Sequence, residues 1–121
     1  MQKIILMVTG LLFSLNIFAQ TTHDKILGKW INEDKTRIIE FVKSSDAYDA
    51  IIRKAEDNSI IGKRQITALK ATGTASFVDG TLHIIKKGKT AKCTASLSGD
   101  TKLYLKASYG VMSKSQTWIK L

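Results

Sequence analysis

Between Ala91 and Tyr109 the chain changes character at every step. Ala91, Cys93, Ala95 and Leu97 alternate with Lys92, Thr94 and Ser96, and Leu103, Leu105, Ala107 and Tyr109 alternate with Lys102, Tyr104, Lys106 and Ser108. A period of two puts alternate side chains on opposite faces of a strand, so each run predicts a strand with one buried face. Gly99-Asp100 separates the two runs and supplies a turn. Lys87-Gly88 makes the turn before them, and 110–114 reads as a looser turn before a last strand, Ser115 to Leu121. Upstream, Asp79-Gly80 tolerates positive φ at both positions and predicts a two-residue hairpin between Thr74–Val78 and Thr81–Lys86. Five strands joined by short connections make an antiparallel meander.

The N-terminal half is less regular. Ile26–Ile31 and Thr36–Val42 read as strands around a turn at 32–35, and 64–70 as a further strand after a loop at 57–62. The segment from Asp46 to Glu56 admits two readings. Tyr48, Ile51, Ile52 and Ala55 fit helical spacing, with Asp46 as a cap and Asp49 as a capping-box acid. As a strand, Tyr48, Ala50 and Ile52 share a face, and the surrounding meander calls for one. The expected fold is therefore all-β, with eight or nine short strands in a small barrel or sandwich. Up-and-down order favours the barrel, because closure removes both sheet edges. The chain has no proline, the residue often used to blunt an edge. About eight strands leave room inside for side chains or one small ligand.

Residues 1–19 read as a signal peptide. Lys3 precedes an apolar stretch from Ile4 to Phe18, and Ala19 is a small residue at the expected cut. The stretch is shorter and more polar than the roughly 20 residues a span needs. Residues 20–121 then form one exported domain, periplasmic or extracellular. One cysteine excludes an internal disulfide. Charge is uneven along that domain: residues 20–57 carry 7 basic and 8 acidic side chains, residues 58–121 carry 11 and 2. Such asymmetry suits an anionic partner. It also suits a solvated lysine surface that keeps a β-rich protein in solution.

Gly28-Lys29-Trp30 on the first strand resembles the Gly-x-Trp of lipocalins, in which the tryptophan closes the barrel's base. More of the chain, Asp24 to Leu121, resembles a family of small exported bacterial proteins, domain of unknown function number twenty-one forty-seven. The matching residues are Asp24, Ile26 or Leu27, Gly28 and Trp30; the turn Gly88-Lys89 leading to Cys93; the strand Leu103 to Gly110; and Trp118. The chain departs from the pattern at Asp57-Asn58-Ser59, where the family often has Asn-Pro and an arginine-rich stretch. It departs again at His83-Ile84-Ile85, where the family often has Tyr-Asp-Pro before the Gly-Lys turn. The resemblance implies a lipocalin-like barrel and makes Tyr48 to Ala55 a strand. It implies no activity.

Chemistry is sparse. Cys93 shares its face with alanines and a leucine and reads as a small core hydrophobe. His23 and His83 are the two histidines, without metal-ligand spacing. No Gly-x-Ser-x-Gly elbow occurs, and Glu33 and Asp34 are adjacent and diverge. No catalytic residue, metal or cofactor is expected, and the chain is read as a non-enzyme. Gly28, Trp30 and Trp118 are assigned to structure, both tryptophans as plugs. Ala91, Cys93, Ala95, Leu105 and Tyr109 are the candidate lining for a small apolar or amphipathic ligand. Lys86, Lys87, Lys89 and Lys92 are the candidate patch for an anionic envelope component, lipopolysaccharide or phospholipid. The lysines lack interleaved aromatics, which argues against nucleic acid.

Overall fold

The computed structural model describes residues 24–121; the signal peptide assigned to residues 1–19, and His23, lie outside the described residues. Eight antiparallel strands close into a barrel in sequence order. They are β1 (Gly28–Asn32), β2 (Ile38–Ser44), β3 (Ala47–Lys54), β4 (Arg64–Ala71), β5 (Ser76–Ile84), β6 (Lys89–Ser98), β7 (Lys102–Tyr109) and β8 (Met112–Lys120). Closure pairs Trp30 with Lys120, Ile31 with Ile119 and Asn32 with Trp118. This is the up-and-down barrel the alternation favoured.

Because strand directions alternate, the connections sort to two ends. A short 3-10 turn at Asp24–Ile26 and the β2–β3, β4–β5 and β6–β7 turns gather at one end, which is packed shut. Ile26, Trp30, Ile39, Phe41, Phe77 and Leu103 have essentially no exposure. Trp30 Nε1 donates to the Ile26 carbonyl at 2.8 Å, which ties the 3-10 turn beneath the barrel. Tyr48 meets Phe77 edge-on at 5.6 Å and donates its hydroxyl to Asp24 Oδ1 at 2.8 Å. Burial, and then the Asp24 carboxylate, hold that phenol well above the usual tyrosine range. Lys120 lies with Nζ 4.8 Å from the centre of the Trp30 ring and donates to the Leu27 carbonyl. Desolvation lowers the pKa of its ammonium. Gly28 leaves room for it: at φ +110°, an added Cβ would stand 2.7 Å from Lys120 Nζ.

The hairpin expected at Asp79-Gly80 is not a hairpin. β5 runs through it, and the chain reverses earlier, between Ala71 and Ser76, where Thr72 N donates to Ser76 O. Asp79 does take a positive φ, 61°, but as a bulge. The register passes from Phe77↔Ala95 to Gly80↔Cys93, setting three steps on β5 against two on β6. Gly80 is required because a Cβ there would meet Leu69 Cδ1 at 2.8 Å and the Cys93 carbonyl at 3.1 Å. Lys86, expected within a strand, lies instead in a 3-10 turn at Ile85–Lys87 that Gly88 ends in the left-handed region.

The ambiguous segment is a strand, β3. Its apolar residues fit both periods, and the partners on either side decide in favour of the sheet. Asp49, read as a possible capping acid, is a buried tether. Its carboxylate accepts from Ala68 N and Arg64 Nη1, both at 2.9 Å. It thereby secures a residue held at φ +58° within β4.

Candidate functional site

The other end of the barrel stays open, and the cause is strand length. β1 ends at Asn32, so it pairs only with the last part of β8, whereas β8 continues along β7 to Met112. Above that point the wall is incomplete and the β1–β2 loop stands over the interior. A cavity of about 460 Å³ lies there. Ile60, Leu82, Leu105 and Trp118 give its apolar lining, and Arg37, Glu56, Gln65, Lys86, Lys87 and Gln116 its polar one. A side lobe of about 150 Å³ shares Leu82, Leu105 and Gln116 and adds Cys93, Ala107, Tyr109 and Lys114.

The mouth is built by amide side chains. Asn32 Oδ1 accepts from the backbone N–H of Thr36 and of Arg37, both at 2.9 Å, and its Nδ2 donates to Thr36 Oγ1. These bonds fold the β1–β2 loop into one shape and set where Arg37 begins. Gln65, at 8% exposure, donates to the His83 carbonyl and accepts from Arg37 Nη1, both at 2.7 Å. His83 itself lies beside Thr67 Oγ1, 2.9 Å from its Nε2.

Of the residues assigned to a ligand lining, Cys93, Leu105 and Tyr109 border the cavity or its lobe. Ala91 and Ala95 do not: both are buried, Ala95 within the closed-end core. Tyr109 is 41% exposed and stands at the lobe's outer edge. Cys93 is buried beside Gly80, and burial pushes its thiol up to about 11, so at neutral pH it is a protonated, poorly nucleophilic group.

The two tryptophans differ. Trp30 is the plug at the base. Trp118, at 4% exposure, forms cavity wall, and its indole N–H has no acceptor among the described residues. A buried donor left unpaired costs roughly 1–3 kcal/mol. The four lysines also divide. Lys86 and Lys87 sit on the cavity's border, with Lys86 also 3.5 Å from Asp57; Lys89 opens β6 beside them; Lys92 lies exposed further along β6, opposite Thr81 and Ser108.

Arg37, Gln65, Leu82 and Gln116 were not among the sequence candidates. Gln116 had a signal, since a period of two from Trp118 reaches it. Gln65 had none, because the register shifts at Gln65 itself: Ala50 pairs with Ile66 and Ile51 with Arg64, which sets one step on β3 against two on β4 and leaves the adjacent Gln65 and Ile66 both buried. Among the described residues no cluster of histidine, cysteine and carboxylate side chains is arranged to hold a metal, and no helix is long and apolar enough to cross a membrane.

An eight-stranded up-and-down barrel, shut at one end and open onto a cavity at the other, defines a lipocalin-like protein. A similar solved structure is that of Protein HP1028 from the human pathogen Helicobacter pylori, described as belonging to the lipocalin family. The match has a TM-score of 0.65 at 17% identity and covers 79% of this chain and 82% of that one. At that identity the likeness shows the fold alone. The family model described as "Uncharacterized protein conserved in bacteria (DUF2147)" matches residues 28–120, and the chain belongs to that family. No curated protein matches it significantly.

Proposed function

We propose that this protein is a non-catalytic binding module, exported by way of its N-terminal segment, that holds one small amphipathic molecule in its open end. The observation that carries the reading is the cavity of about 460 Å³ above a fully packed base. Its size falls in the range of small-molecule sites, and it combines apolar walls with a few convergent polar groups, as such sites do. Native mass spectrometry of the protein purified from its own periplasm or medium tests this. The expected result is a polypeptide starting at or near Gln20 with an added small-molecule mass that disappears on denaturation. A bare polypeptide from every preparation would overturn the container reading, and a chain still carrying residues 1–19 would overturn export.

A second reading has its own observation. Lys86, Lys87 and Lys89 surround the open end, and the β7–β8 turn at the same end presents Val111 and Met112, both strongly exposed. Cations around an apolar tip suit an anionic lipid surface. Binding to phosphatidylglycerol vesicles is expected by co-sedimentation, falling steeply with salt because exposed charges are screened over about 8–10 Å at physiological ionic strength. Equal binding to phosphatidylcholine, or none to either, removes this reading.

A further inference from the structure

We infer that the mouth of the barrel reads a carboxylate head on an apolar tail, and that Arg37 is the residue that reads it; this rests on the container reading above. Arg37 is only partly exposed, yet among the described residues no carboxylate pairs with it. Asp24, Glu40, Asp49, Asp57 and Asp100 all serve other cations. The side-chain acceptor that Arg37 does have is the neutral amide oxygen of Gln65. A guanidinium carries five N–H donors in a planar fork, so one such bond leaves most of it uncommitted.

The fork is also held still. Gln65 is buried and anchored through its other end to the His83 carbonyl, so its amide cannot turn away. Asn32 fixes the backbone at Thr36 and Arg37. A cation fixed in advance loses little freedom when an anion arrives, and a planar fork matches a carboxylate through two parallel bonds. The surrounding charge has the same sense. Arg37, Lys86 and Lys87 border the cavity against one carboxylate, Glu56. The walls beyond them are Leu82, Leu105, Ile60 and Trp118, which suit a tail and not a second charge.

The test compares dansyl-labelled undecanoic acid with its methyl ester by fluorescence titration, on the wild type and on Arg37→Gln, Arg37→Lys and Lys102→Gln, with thermal melting to confirm that each variant is folded. The wild type is expected to prefer the acid by about tenfold or more, the scale of one charge-assisted hydrogen bond. Arg37→Gln should abolish the preference while still binding the ester. Arg37→Lys should keep part of it, because the charge stays and the fork is lost. Lys102→Gln, an exposed lysine at the closed end where β7 begins, should leave it unchanged. Acid and ester binding equally to the wild type, a preference that survives Arg37→Gln, or one lost equally in Lys102→Gln would overturn the inference and leave the container intact. Failure of both probes to bind any folded form would instead count against the container itself.

Discussion

Trp30→Ala is expected to destabilise the barrel by about 3–5 kcal/mol, the usual cost of emptying a large buried aromatic site. Little of that space can collapse. The ring has no exposure and is held from two sides, by the Ile26 carbonyl on its N–H and by the Lys120 ammonium over its face. Without it, the 3-10 turn at Asp24–Ile26 loses its tether, and an already desolvated lysine loses the ring it lies against. Set against a total of roughly 5–15 kcal/mol for a natural domain, the loss leaves a marginal fold. Urea unfolding followed by circular dichroism measures it. A cost below about 1 kcal/mol would mean that the closed end is not where the stability lies.

The second large effect is on binding. Gln116 borders both the main cavity and the side lobe, makes no side-chain hydrogen bond among the described residues, and sits on the stretch of β8 that β1 does not cover. Gln116→Trp should therefore fill the shared space without breaking a contact the fold relies on. Affinity for an amphiphile seated in the cavity is expected to fall by tenfold or more, with the melting temperature nearly unchanged. Retained affinity would place the ligand elsewhere on the molecule.

The fold was legible where side chains alternate without interruption. The runs at 91–97 and 103–109 are strands that bury Ala91, Cys93, Ala95, Leu103 and Leu105 as their pattern required, while Tyr109, at the open end of its run, is exposed. The reading failed where one residue changes the count. Asp79-Gly80 has the chemistry of a turn, and a positive φ is indeed used there, but tertiary pairing turned it into a bulge. On β4 another irregularity falls at Gln65 itself, where two steps are set against one on β3, and this hid its burial beside Ile66. The site was harder to foresee than the fold for a related reason. Lining residues on β6 and β7 follow from alternation, whereas Arg37 belongs to a loop whose shape comes from Asn32 and whose aim comes from a strand 28 residues away. No local pattern carries that information. Nor does composition explain why Ala95 is core and Ala107 cavity wall; the difference lies in which end of the barrel each strand position reaches.

Closure of β1 against β8 has a consequence in time. The contact between Lys120 and the Leu27 carbonyl joins residues 93 apart, and the Trp30 face is completed by the same lysine. Pairings so distant in sequence form late, after the intervening loops have been gathered. Until β8 arrives, β1 and β7 each present an unpaired edge, in a chain with no proline to blunt either. The finished barrel leaves strand edge unpaired where β8 outruns β1, but the nascent one is a sheet with two adhesive sides, and for that interval its nearest competitor for pairing is another copy of itself.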